Sequence, residues 1–534
     1  LSEQEFDKLT REGQVDAILL AHAIRYELVL LERESVQWRE MLPLVETVLP
    51  LFELLESHRR HEPLSPRRSA EELDHFTTRL TNDRNSLEAA TSSKRDESAP
   101  KLSVSPSAAL RAAGVMENLR RELASWHRFG SGYDPTFTWW TAAPAKKADA
   151  AIAEHARFLR SQFAKVPEND RGSTIVGDPI GETGLKADLD LEMIPYSIPR
   201  LIEIAEEEFA WCDKEAKKAA ANLGCGDDWL AALAKVKDRY LEPGEQPGLI
   251  RDLNREAIAF IESRQLLSVP PLAQEIWRME MMSPEAQKVN PYFLGGEQII
   301  VSFPTDGMEH SDKLMSMRSN NRSFARATVF HELIPGHHLQ GFMSRRYNPH
   351  RAQVFSTPFW TEGWALYWEM RLWDLGFPRD SEDKVGMLFW RMHRCARIIF
   401  SLKFHLKQMT PAEAIEFLVA RVGHERSAAE AEVRRSFNGS YPPLYQAAYM
   451  LGGLQFRALH RELVATGKMS EREFHDRVLR AGNMPVEMIR ALLMPELPLA
   501  ASHQASWRFA NKPATDQVDA GTGGQTATPI SAPR

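Results

Sequence analysis

The sequence predicts a mainly α protein, a large helical body with a small β-sheet next to the helix that carries a cluster of histidines. Three observations predict it. Apolar residues recur at helical spacing, as in Val45, Val48, Leu49 and Phe52 at i, i+3, i+4 and i+7. Helix-start signatures recur as well: Thr410-Pro411-Ala412-Glu413 and Ser470-Glu471-Arg472-Glu473 each place Glu three residues after a capping hydroxyl. Period-two alternation marks one short stretch, where Ile299, Val301 and Phe303 make 298–303 read as a strand.

Taken in order, residues 1–60 are rich in helix formers, and the lone His22 and His58 there read as packed or solvated side chains. Pro63, Pro66 and the polar run 91–106 break the pattern and read as loops. Helical spacing resumes over 107–128 and 144–166. Between them lie Gly130-Ser131-Gly132-Tyr133-Asp134-Pro135 and the aromatics Phe137, Trp139 and Trp140, a core plug rather than a pocket lining. Residues 172–193 read as a long loop, then 195–223 and 248–267 as helices, the second ended by Pro270-Pro271. Gly295-Gly296 reads as a turn before the strand, not a phosphate cradle, because no strand-loop-helix fingerprint surrounds it. Residues 384–409 form a long helix, and both capping signatures start new ones. Residues 511–534 lack periodicity and read as a flexible tail. No repeat of fixed period appears, which argues against a solenoid, and since large helical chains commonly form one intertwined body, 1–510 is expected to be a single one with its chemical core at 295–455.

Composition excludes some function classes. Hydrophobic content of 43% and charged content of 26% suit a globular protein with a substantial core. No apolar run approaches the roughly 18 residues of a membrane span. A net charge of −7 with interspersed signs lacks the basic footprint that nucleic acid requires. Cys212, Cys225 and Cys395 have no C-x-x-C spacing, so neither a disulfide framework nor a thiolate zinc site is expected. The chain starts at Leu1, so a targeting segment or other upstream residues are expected to have been removed. Oligomeric state leaves no mark in the sequence.

The densest chemistry lies in His331-Glu332-Leu333-Ile334-Pro335-Gly336-His337-His338-Leu339-Gln340. A His-Glu pair followed by more His is how zinc hydrolases set two imidazole ligands and a general base around one ion. The spacing departs from H-E-x-x-H. On a regular helix His337, six residues after His331, would be rotated by roughly 240°, and His338 would sit about 10 Å further along the axis. Pro335 cannot donate to the carbonyl of His331, so Pro335-Gly336 is expected to kink or bulge the helix and swing one His back. His337 is favoured over His338, which would then support a ligand or face substrate. The third ligand is expected from the helix containing Thr361-Glu362-Gly363-Trp364, with Glu362 as candidate. Glu369, seven residues on, shares its face and is either a support for a ligand His or a solvated side chain.

These residues, with Glu362-Gly363-Trp364-Ala365-Leu366-Tyr367 and Glu369, resemble the bacterial domain-of-unknown-function family 885, which is related to gluzincin metallopeptidases. The resemblance runs to about residue 500, with its specific motifs between 320 and 455. It implies a gluzincin-like, two-lobed helical body around a deep cleft. It also implies one zinc ion on His331, His337 and Glu362, and Glu332 as base. The strand before the metal helix would hydrogen-bond an extended peptide, as gluzincin edge strands do. Tyr449-Met450-Leu451-Gly452 fits the family's Tyr-x-x-Gly, whereas Ser401 and Lys403 stand where many members carry Asp and Gly, and Pro443-Leu444-Tyr445 replaces Pro-Gly-Gln. Many members are exported, which implies a periplasmic or secreted location.

The function expected is a zinc-dependent peptidase. The ion would lower the pKa of its water to near 7 and polarise a carbonyl, while Glu332 moves the proton. Tyr449 is the first candidate for an oxyanion donor, with Tyr445 and Tyr441 behind it; each is equally readable as a buried phenol with a satisfied hydroxyl. Arg394, Arg397 and His405 either meet a substrate carboxylate or form structural ion pairs. Two other functions fit the same residues, a non-catalytic metal- or peptide-binding protein and an amidase on a non-peptide small molecule. Two His and one carboxylate also serve non-haem iron.

Overall fold

The computed structural model describes residues 3–91, 104–168, 170, 174–287, 292–293, 295–296 and 298–510. Most of the expected loop 91–106 and the expected tail 511–534 lie outside the described residues. Helices dominate, and the described strands form one two-stranded sheet.

Helix Arg11–Val45, capped by the Thr10 side chain, joins two hydrophobic cores. Its first half sends Val15, Ile18 and Leu19 into the core that also contains the candidate site. Its last turn sends Met41, Leu44 and Val45 into a second core built by helices Leu49–Arg59, Pro66–Thr91, Pro106–Tyr133 and Pro135–Phe158. Several sequence expectations change here. Pro66 starts a helix, since a first-turn proline forfeits no intrahelical bond. Gly130 and Gly132 stay helical, and the only break between the two long helices is Asp134, whose side chain caps the next one through the Thr136 amide. Pro144 lies inside that helix because burial of Ala145, Ala148 and Ile152 around it outweighs its poor propensity. The aromatic cluster is not a plug: Phe137 is buried, but Trp139 is 84% exposed on the opposite face.

Residues 172–193 are not all loop either. Helix Gly181–Leu191 buries Leu185 and Leu189. Helix Ile198–Asn222 follows, capped by Ser197, and then Trp229–Lys237, which the sequence reading missed, and Gln246–Ser263.

Strand Gln298–Val301 pairs in parallel with Arg278–Met281, with Ile299 opposite Met279. The pairing ends two residues earlier than the expected 298–303, and the Phe303 amide instead donates to the Gln287 side chain. Ile299 and Val301 pack with Ala325, Val329 and Leu333, so the sheet lies against the helix that carries His331.

Four helices frame the site: Arg322–Glu332, Pro358–Asp374, Ser381–His405 and Tyr445–Leu463. The second and fourth cross at Gly363 and Gly452, where a side chain on Gly452 would collide with the Phe359 carbonyl and with Gly363. Chain ends and middle are also tied together. Arg11 donates to the carbonyls of Ala491 and Leu497, and the buried Arg351 donates to Asp16 at 2.7 Å and to the Ala481 carbonyl. No helix among the described residues is long and apolar enough to cross a membrane.

Candidate metal centre

The His-rich segment is two helices rather than one bent helix. Arg322–Glu332 stops at Leu333, and His337–Ser344 begins after a cis Ile334-Pro335 bond and Gly336. The break still closes on the first helix, for the Gly336 amide donates to the Phe330 carbonyl at 3.0 Å. A Cβ at Gly336 would land on the carbonyl of His331, so no larger residue fits this close return. Trp364 Nε1 donates to the Pro335 carbonyl at 2.8 Å, and Gln340 Nε2 to the Trp360 carbonyl at 3.0 Å. The break is thereby fastened to the helix that carries Glu362.

This arrangement brings His331, His337 and Glu362 together, their ligand atoms all within 4.8 Å of one another. Glu362 Oε2 lies 3.5 Å from His331 Nε2 and 3.1 Å from His337 Nε2. Ligand atoms each about 2 Å from one ion stand roughly 3–4 Å apart, as Glu362 Oε2 does from each imidazole nitrogen. The other Glu362 oxygen accepts from the Tyr445 hydroxyl. Glu369 is buried, not solvated, and accepts from His331 Nδ1 at 2.6 Å, which directs Nε2 toward Glu362. His337 Nδ1 is buried without a partner among the described residues, so that ring lacks the carboxylate support His331 enjoys.

The electrostatics favour a cation. Burial alone would depress the His331 imidazole, but Glu362, Glu369 and Glu332 outweigh it and push it up to about 9. Burial would likewise raise Glu362, yet His337 and His331 hold its carboxyl well below the ordinary range. Glu332, 9% exposed, lies with Oε2 4.0 Å from His337 Nε2. Burial raises its carboxyl, with His331 and His337 opposing. Two imidazoles and a carboxylate converging on one point, with a further carboxylate behind and another beside them, fit a divalent ion of zinc type.

Beside these residues lies a cavity of about 230 Å³. Its lining includes the expected Tyr445, Tyr449, Arg394 and Arg397, together with Tyr292, Phe293, Gly295 and Arg435, which the sequence reading missed. Tyr449 stacks on His331, ring centroids 6.2 Å apart. Burial raises its phenol, with Glu362 adding to the shift.

Two expected site residues lie elsewhere. His338 Nε2 bonds the Ala273 carbonyl at 2.9 Å, because successive helical residues diverge by about 100° and His337 takes the site face. His405 lies two turns beyond Arg397 and accepts from the Ile180 amide at 3.4 Å, outside the cavity lining.

Residues 1–493 match a family described as "Bacterial protein of unknown function (DUF885)". Among solved structures, the chain is similar to a "putative lipoprotein of unknown function" from Shewanella oneidensis, at 17% identity and TM-score 0.64, covering 91% of this chain and 88% of that one. It is also similar to a "putative lipoprotein" from Colwellia psychrerythraea, at 17% identity and TM-score 0.54, covering 83% and 78%. At this identity the likeness extends to the fold alone. No curated protein matches the chain.

Proposed function

This chain belongs to the bacterial DUF885 family, and from the geometry of its site we propose a zinc-dependent hydrolase, a peptidase acting on short or extended peptides, with Glu332 as general base. The observation that carries this reading is the place of Glu332. A binding module needs the ligands only, whereas here a further buried carboxylate stands 4.0 Å from a ligand imidazole and lines the adjoining cavity.

His331, His337 and Glu362 would hold the ion. When bound, it polarises a carbonyl oxygen and acidifies water. Glu332 accepts a proton from the attacking water as the water oxygen bonds to the carbonyl carbon, then delivers that proton to the nitrogen as the C–N bond breaks. Tyr449, a phenol kept protonated by burial, donates a hydrogen bond to the developing oxyanion. Tyr445 orients Glu362 and Glu369 fixes the His331 tautomer. The strand Gln298–Val301 offers backbone groups to an extended peptide, and a two-lobed, gluzincin-like arrangement around a deep cleft belongs to the same reading. The solved relatives' description as lipoproteins supports an exported location, periplasmic or at the cell surface.

A Glu332→Gln variant tests the reading, with metal content and cleavage of a peptide library measured beside the wild type. Retained metal with cleavage reduced by roughly 10²- to 10⁴-fold supports the base. Unchanged cleavage overturns it, and a metal-loaded wild type that cuts nothing favours a binding protein.

A further inference from the structure

Three guanidinium groups reach the cavity beside the candidate metal centre, and none is explained by the chemistry assigned so far. Arg394, Arg397 and Arg435 are 5%, 3% and 7% exposed. Arg397 Nε bonds Glu432 at 2.6 Å, but its Nη1 has no partner among the described residues. Arg435 stacks on Tyr441, its guanidinium carbon 4.6 Å from the ring centre, and its Nε has no partner. Arg394 lies over Tyr449, 3.8 Å from Glu369, and its Nε too has none. On the carboxylate side the supply is short. Glu369 is bonded to His331 and reaches Arg394 only at 3.8 Å, Glu362 meets both imidazoles, Glu432 bonds Arg397, and Arg435 has no carboxylate within 4.0 Å among the described residues. Burial would raise the Glu432 carboxyl, yet Arg397 and Arg435 hold it at about 2.

Burying a cation away from water is strongly unfavourable unless an anion answers it. Ordinary ion pairing accounts for Arg397, reaches Arg394 only through the long contact with Glu369, and does not account for Arg435. We propose that this cavity binds a carboxylate of the substrate between Arg394, Arg397 and Arg435, and that the bond cleaved lies one or two residues from that carboxylate. The inference rests on the hydrolase reading for the cleavage but not for the binding.

Tyr449 sets the scale. Its ring centre is 6.2 Å from that of His331, 4.4 Å from the Arg397 guanidinium carbon and 4.6 Å from that of Arg394. The Arg394 and Arg397 guanidiniums therefore lie at most about 11 Å from the imidazole by way of Tyr449. A carboxylate seated on the arginines and a carbonyl at the metal ligands would be separated by the length of one or two residues, at roughly 3.5 Å each. The cavity volume of about 230 Å³ accommodates such a fragment. Planar guanidinium forks match a carboxylate's two oxygens, which a lysine would not.

The carboxylate could be the end of a peptide or an acidic side chain, and the test separates them. N-acetyl-Ala-Ala with a free carboxylate, its C-terminal amide, and N-acetyl-Ala-Glu amide are titrated calorimetrically into zinc-loaded Glu332→Gln protein, and wild-type cleavage of each is followed in parallel. The free acid should bind about 10- to 100-fold more tightly than the amide. Arg394→Gln and Arg435→Gln should bring that ratio toward one while metal content stays unchanged. Tight binding of the Glu amide instead assigns the subsite to a side-chain carboxylate. Equal binding of all three overturns the inference, whether or not the peptides are cut. Acid-selective binding without cleavage supports the subsite and overturns the hydrolase reading. Should an arginine variant fold poorly, the acid-to-amide ratio of the unmodified arginines still decides.

Discussion

Glu369 accepts a hydrogen bond from Nδ1 of His331 at 2.6 Å across 38 residues of sequence, and it stands two turns along the helix from Glu362. One helix thus supplies both the carboxylate that meets Nε2 and the carboxylate that fixes the ring. Replacing Glu369 by Gln keeps the volume and removes the charge. Metal affinity, measured by competition with a chelator, should fall by about 10- to 100-fold while the fold persists.

The crossing of Pro358–Asp374 and Tyr445–Leu463 allows no side chain at Gly452. Gly452→Ala should cost about 1–3 kcal/mol and loosen the placement of Tyr445 against Glu362, read as a lower melting temperature and weaker metal binding. Gly114 is the contrast. It sits in helix Pro106–Tyr133 with nothing within 4 Å of an added Cβ, so Gly114→Ala should stabilise by about 0.5–1 kcal/mol.

Glu192 is buried and accepts from the Thr357 hydroxyl, and burial, with Asp188 adding to it, pushes its carboxyl up to about 8 against the opposing hydrogen bond. Below about 4.5 the folded and unfolded chains both hold this proton; between there and about 8 only the unfolded chain releases it. Its contribution to stability is therefore complete below 4.5 and lost as pH rises through 8, by at most about 1.4 kcal/mol per pH unit. Melting temperatures from pH 5 to 9 should fall less steeply in Glu192→Gln than in the wild type.

Arg351 is buried, and its side chain ties Asp16, Glu12 and the Ala481 carbonyl together. Arg351→Ala should cost about 1–3 kcal/mol, chiefly by leaving the Ala481 carbonyl unanswered and reducing Asp16 to its contact with His350. Limited proteolysis should then cut sooner within Arg11–Val45 than it does in the wild type.

Local chemistry wrote part of this into the sequence. The crowding of His331, Glu332 and His337 around Pro335-Gly336 announced a backbone that must return on itself, and the spacing of Glu362 and Glu369 put both on one helical face. The sequence could not say that the return would be a full break between two helices, since Gly336 closing on Phe330 depends on the packing of Trp364 and Gln340. Arg435 and Tyr292 went unseen for the same reason. They reach the cavity from segments remote in sequence, and no period or spacing links them to His331. His405 was misplaced because one helix face was read without its length: eight residues from Arg397 is about 12 Å along the axis. The aromatic stretch 137–140 failed through the reverse error, with Phe137 and Trp139 grouped by composition although a helix turns them apart.

The central claim is that His331, His337 and Glu362 grip one ion. Metal content per chain after equilibrium dialysis against zinc, compared between the wild type and the His331→Ala, His337→Ala and Glu362→Gln variants, tests it most directly. The account predicts one ion per wild-type chain and a large loss in each variant that still folds; an unchanged stoichiometry in all three would contradict it.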